Sequence, residues 1–291
     1  METLLGSFVE YCATMPDWHK VAWAAVCLSV SWVFEFASPA YIFNYKKIKH
    51  IGVNVVFLLT SGITGIVFAL LTVSVIAWAG EQRIGLLYSL NLPVWLHFLA
   101  GIVLLDVIAQ YGVHFLLHRV KWMWRLHMVH HSDTHVDATT GTRHHPGDYL
   151  TREIAALFAM LIFGIPIEYY LGYRMITIFF AYFTHANIRL GKLDRILSYI
   201  IVTPDMHKFH HHIERPWTDS NFGNILSIWD RMFGTLVYEN PQDVRFGLDV
   251  LDGSRDMDLV YQYKLPFNGS IKTDQRSGLS FLRWRDDWSC K

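Results

Sequence analysis

Residues 53–79 carry no charged side chain, and that run decides much of what this chain can become. In hydrocarbon every backbone N–H and C=O must find its partner within the protein, so an apolar stretch of roughly 20 residues crosses as a helix. Two more stretches have the length: from about Val21 to Phe43, broken late by Glu35 and Pro39, and from about Val94 to Leu117. With 52% apolar residues, 17% charged and a mean hydropathy of +0.24, the chain suits a membrane better than water. Its 25 basic and 25 acidic side chains balance, which excludes the basic stripe of a nucleic-acid binder. The expected fold is all-α, a polytopic membrane helical bundle.

Charge orients the bundle. Lys46, Lys47 and Lys49 follow the first stretch, and Arg119, Lys121 and Arg125 follow the third, while the 80–93 connection holds little charge. Basic loops stay on the cytoplasmic side, so the segments 44–50 and beyond 118 are expected there and the N-terminus opposite. No basic n-region precedes a short apolar core, so no cleaved signal is read. Cys12, Cys27 and Cys290 form no C-x-x-C pair and encode neither a disulfide framework nor an iron–sulfur cluster.

At the end of the third stretch the histidines begin. His114 and His118 stand four apart, and His127, His130 and His131 follow as H-x-x-H-H; His207, His210 and His211 repeat that spacing, with His145 and His185 between. Residues three and four apart share a helix face, so each motif can grip a metal. Imidazole suits iron, zinc, copper or nickel, whereas calcium or magnesium would want oxygen ligands. Ten nitrogens in repeated clusters suggest two ions of about five ligands each, with positions left open for a small molecule such as O2. Asp106 and Gln110 continue the four-residue spacing below His114 and are expected to orient the imidazoles from behind. His144, His135 and His212 are left outside the set, and His50 is assigned to a membrane edge. The expected metal centre forms a cap at the cytoplasmic mouth of the bundle.

The order of motifs resembles the fatty acid hydroxylase/sterol desaturase superfamily over about residues 100–240. The likeness rests on His114/His118, on His127/His130/His131, on Arg143-x-His145-Pro146 and on Phe183-x-His185-x-Asn187. It continues through Thr203-Pro204-Asp205-Met206-His207-x-x-His210-His211, Asp219–Asn224 and Trp229–Thr235. Phe115, where Arg often stands, and His212, where many members have Ser, depart from the pattern. The resemblance implies an integral membrane enzyme holding two iron ions, with zinc able to replace them on purification, and O2 as co-substrate. It would oxidise an unactivated C–H bond of a membrane lipid or sterol, by hydroxylation or, as the alternative, desaturation. Asn187 and Asp205, beside the ligands, are candidates for holding ring N–H groups. Trp122, Trp124 and Trp229 read as interface anchors. A rival of another class is a non-redox zinc-binding membrane protein.

No glycine-rich dinucleotide motif, ferredoxin-like cysteine set or fused haem domain is present, so a separate electron-donor protein is expected. Three regions follow: 1–93 with two spans; 94–240 as the catalytic region, including the third span and an apolar pair of segments broken at Gly164-Ile165-Pro166; and 241–291 as a soluble extension. The pair, read as 152–163 and 173–186, is short enough for a hairpin that dips into the membrane, two full spans being the alternative. The expected setting is a bacterial inner membrane, alternatively the endoplasmic reticulum.

Overall fold

The computed structural model describes residues 2–215, 217–238 and 244–271; Cys290 and the rest of the expected C-terminal extension after 271 lie outside them. It is helical throughout, with α1 (Glu2–Thr14), α2 (Asp17–Ala37), α3 (Lys47–Glu81) and α4 (Val94–Leu105). A π turn, Asp106–Gly112, joins α4 to α5 (Val113–Arg119), and α6 (Lys121–His131) follows at once. After them come α7 (Pro146–Phe163), α8 (Ile167–His185), α9 (Lys192–Leu197), α10 (Pro204–His210), α11 (Ile228–Met232) and α12 (Leu259–Lys264). Among the described residues there is no strand, only isolated bridges such as Ile201 with Leu226. Three stretches are long and apolar enough to cross a membrane: Trp18–Ala37, Lys47–Ser89 and Val94–Arg119.

The helices α7 and α8 are longer than the apolar residues alone suggest. At 18 and 19 residues they run roughly 27–29 Å. Their first turns lie outside the segments 152–163 and 173–186, and polar groups there are paired inside the protein: the Tyr149 hydroxyl with Arg174 at 2.9 Å and the Tyr170 hydroxyl with Glu153 at 2.6 Å. The turn between them rests on the connection that follows α3. Gly164, at φ 69, caps α7, and a Cβ on Gly85, at φ 125, would meet its nitrogen at 2.1 Å. The hairpin therefore reaches from the histidine end to the connection that follows α3, and neither of its helices is among the three stretches long and apolar enough to cross a membrane. At that far end α1 lies across the starts of α4 and α8, through Phe8 on Phe98 and Phe8 against Gly172.

Asp106 joins four segments. Its carboxylate accepts from the Tyr173 hydroxyl of α8 at 2.9 Å, the Trp229 indole of α11 at 2.7 Å and the Leu226 backbone N–H at 3.3 Å. It contacts no imidazole. The π turn explains the departure from the expected four-residue ladder, because i→i+5 bonding rotates Asp106 off the face of His114. Trp229 is thus an internal strut rather than an interface anchor. Glu35 likewise serves structure, accepting from the Ala138 and Asn187 N–H groups at 2.7 and 2.8 Å.

The described part of the expected extension, 244–271, packs onto the histidine-bearing core. Leu248, Leu265 and Ile271 cluster with Trp124, Met128 and Val129, and Arg143, fully buried, donates to the Asp256 and Val129 carbonyls.

Replacing Asp106 by Leu leaves the Tyr173 and Trp229 donors buried and unpaired. The expected loss is about 2–4 kcal/mol, with Asp106→Asn retaining part of it. Thermal unfolding of the protein in detergent reads this; a Leu variant melting like the wild type contradicts the joint.

Candidate metal centre

Helices bring the histidines together as two groups. His114 and His118 of α5, His127 and His131 of α6 and His210 of α10 form one, in which one nitrogen of each ring lies within 4.8 Å of all the others. His130, His185, His207 and His211 form the second by the same measure. Each H-H pair is divided between the groups, because neighbouring residues on a helix point about 100° apart. The planes of His130 and His131 meet at 87° and those of His210 and His211 at 85°. The groups share a wall, His131 stacking on His211 with centroids 4.6 Å apart.

The protons of these rings are largely fixed by their outer partners. A carbonyl or carboxylate oxygen only accepts, so a ring nitrogen bonded to one must carry the hydrogen. His114 Nδ1 meets the Phe222 carbonyl at 2.9 Å, His185 Nδ1 the Ala181 carbonyl at 2.7 Å and His210 Nδ1 the Ser220 carbonyl at 2.7 Å. Carboxylates serve His127 through Asp148 at 2.8 Å and His118 through Asp219 at 3.1 Å. Five Nε2 lone pairs consequently face inward.

Two of those lone pairs, on His114 and His127, stand 3.1 Å apart. With both Nδ1 atoms protonated this is no hydrogen bond but a repulsion, and it is the spacing of two neighbouring nitrogens each roughly 2.1 Å from one ion. His185 Nε2 stands as close to Nε2 of His130 and His207, at 3.2 and 2.9 Å. Buried nitrogens of His130, His131, His207, His210 and His211 have no hydrogen-bond partner among the described residues. Burial pushes all five of these imidazoles well below their ordinary pKa, and His127 falls to about 4 despite Asp148, which opposes burial. Neutral, convergent and otherwise unsatisfied, the donor set fits soft or borderline metal ions such as iron or zinc.

Local structure explains the positions. Thr203 caps α10 and Pro204 occupies its first turn, which starts the helix just ahead of His207. Gly141 lets the 138–142 turn close on α8 beside His185; a Cβ there would meet the Ala181 carbonyl at 2.1 Å. Asp133 ties the end of α6 to α3, both its oxygens 2.9 Å from His50 Nε2. His50 is fully buried in this contact rather than at a membrane edge.

The structure does not bring His145 into either group. Pro146 opens α7 and makes His145 its extended cap residue, whose Nδ1 accepts from the Gly147 N–H at 3.1 Å. Its neighbour His144 lies nearer, stacked on His130 at 4.4 Å and donating to Asp148 at 2.9 Å. His135 and His212 stay outside, as expected.

The four expected orienting groups do other work. Besides Asp106, Asn187 clasps the backbone of Tyr41, and Asp205 pairs with buried Lys208 at 3.0 Å. Gln110 reaches an imidazole only through Arg152 and Asp148. Asp148 and Asp219, which hold His127 and His118, had no place in the expected set. Asp148 lies three residues beyond His145, at the start of a helix; that spacing was the available signal. Trp124 is buried against His118 at 4.9 Å and is not an interface anchor, whereas Trp122 is exposed.

Fold and site together define a helical protein with three stretches able to cross a membrane and two buried histidine groups that could each hold a metal ion. Residues 98–235 match the family model for fatty acid hydroxylase. The matched segment, a little under half of the chain, is similar to a fatty acid hydroxylase domain. Among curated relatives it is 33% identical over 145 residues to ornithine lipid hydroxylase OlsE of Rhizobium tropici, which is 48% of this chain and 42% of that protein. It is 31% identical over 140 residues to human alkylglycerol monooxygenase, 47% of this chain and 30% of the relative. The Xenopus tropicalis alkylglycerol monooxygenase gives 30% over 174 residues, 59% and 36%. The match thus spans less than half of each of these relatives. No solved structure matches the chain.

Metal counting on purified variants tests the geometry. His185→Ala is expected to lose about one ion per chain and His145→Ala none, while Asp148→Asn weakens retention about 10–100-fold against a chelator. Equal loss from His145→Ala and His185→Ala contradicts this assignment.

Proposed function

We propose that this protein is an O2-dependent monooxygenase that hydroxylates an unactivated C–H bond of a membrane lipid, using two iron ions held by the histidine groups. The observation that carries the reading is the pair of adjoining groups whose Nε2 lone pairs converge while carbonyls and carboxylates hold the outer protons. Relatives named as an ornithine lipid hydroxylase and an alkylglycerol monooxygenase support lipid as the substrate class.

Two bound irons would supply the oxidising power to remove hydrogen from an aliphatic carbon and return oxygen to it. The chain's own part is to hold and shield. His114, His118, His127, His131 and His210 would hold one ion, and His130, His185, His207 and His211 the other. Asp148, Asp219 and the Phe222, Ser220 and Ala181 carbonyls keep five rings in the tautomer that binds. Phe222 and Trp124, both buried against His118, limit water around the first group. Electrons come from a separate donor protein.

The basic residues Lys46, Lys47, Arg119, Lys121 and Arg125 flank the histidine end of the spans, which supports a cytoplasmic centre reached by a soluble reductant. A bacterial inner membrane is the setting adopted here, with the endoplasmic reticulum distinguished by localisation of the tagged chain.

Comparative lipidomics under 18O2 tests the function in cells expressing the wild type or His130→Ala/His131→Ala. One labelled oxygen in a lipid, gained only with the wild type, is the expected result. An unlabelled product two hydrogens lighter would make the enzyme a desaturase. No difference with metal and reductant confirmed, from a protein that retains only zinc, would return the non-redox reading.

A further inference from the structure

The segments 192–201 and 225–233 mix charged with apolar residues and lie outside the three spans, yet they are tied to the middle of the third span. Trp229 and Leu226 donate to Asp106, thirteen residues or roughly 20 Å before the end of Val94–Arg119. Phe233 stacks on Tyr111 at 5.1 Å, roughly 12 Å before that end. Ile225, Leu226 and Ile201 pack into the same apolar cluster as Leu105, Ala109 and Phe180. Where α4 and α5 cross a bilayer, these segments lie at the depth of its acyl chains.

Their outward face has the matching chemistry. Leu193, Ile196 and Ile200 from one segment and Ile228, Met232 and Phe233 from the other are exposed, Ile200 to 68% and Met232 to 63%. The acidic residues point inward: Asp194 accepts from Thr203 and Tyr238, and Asp230 from the Phe222 and Gly223 N–H groups. The exposed charges on these segments are Lys192 and Arg195, both cationic. Non-helical backbone is tolerated in hydrocarbon only when its polar groups are satisfied within the protein. Here Val202 N–H donates to the Ile225 carbonyl at 2.9 Å, Ser227 N–H to Ile200 at 3.1 Å, and the Ser227 hydroxyl to Ser198 at 2.6 Å.

We propose that residues 192–201 and 225–233 form a wedge embedded in the leaflet on the histidine side, its apolar face against lipid acyl chains and Lys192 and Arg195 at the headgroups. The wedge is a lipid-contacting surface of the catalytic domain in addition to the three spans. It rests on the membrane reading of α4–α5 and is independent of which reaction the centre performs.

Spin labels at Ile196→Cys and Phe233→Cys test it, in a Cys12→Ala/Cys27→Ala/Cys290→Ser background whose metal content and melting match the unmutated chain. The full chain is placed in nanodiscs of phosphatidylethanolamine and phosphatidylglycerol. Collision with O2 and with a water-soluble nickel chelate is measured against Leu70→Cys on α3 as the lipid reference and Val260→Cys on α12 as the aqueous one. Both wedge labels are expected to match Leu70→Cys, collisions with nickel being lost and those with O2 high. Nickel access like that of Val260→Cys overturns the proposal. So does exclusion of both reagents with spin–spin broadening, which would mean that a second copy covers the face. None of these readouts requires turnover, so an inactive enzyme leaves the test intact.

Discussion

Five buried imidazoles turn their lone pairs into a cage of nine, and the rest of the protein is arranged around holding them there. They are held in that orientation by oxygen acceptors behind them, three backbone carbonyls and two carboxylates. Without a cation the arrangement is costly, since burial denies the rings water and holds them uncharged. With one in each group, the same lone pairs become the ligand field. The fold's loops follow from the need for those acceptors: the 219–223 segment is wrapped against α5 and α10 so that its oxygens reach His118, His210 and His114.

The membrane imposes the second constraint. Polar groups in the spans have to be answered inside the protein, and Asp106 is answered by an indole, a phenol and a backbone N–H drawn from elements distant in sequence. That junction fixes the floor beneath the metal centre. It also draws the mixed segments 192–201 and 225–233 down beside the third span, where their carboxylates turn inward and Lys192 and Arg195 stay exposed.

Helix content, the three long apolar stretches and the meeting of nine of the ten singled-out histidines were legible because they depend on local spacing. His145 misled because its proline neighbour turns it into a helix cap, while His144, one residue earlier, faces the cage. Asp106 and Gln110 misled because a ladder of fours presumes an α-helix, and the π turn rotates it. Asp219 escaped notice because a carboxylate behind an imidazole 101 residues away has no sequence spacing to announce it, and Asp148, 21 residues from His127, was signalled only by its place after His145 at a helix start. The polar first turns of α7 and α8 hid their full length, since the bonds that satisfy Tyr149 and Tyr170 there, to Arg174 and Glu153, are tertiary.

X-ray absorption at the metal edge of iron-reconstituted protein, with the ions counted on the same sample, tests the central claim most directly. Two ions per chain, each in a shell dominated by imidazole nitrogen at roughly 2.0–2.2 Å with no sulfur, is the predicted result. A single ion, or a shell of mainly carboxylate oxygen, would contradict the account of two histidine groups built to hold two metals.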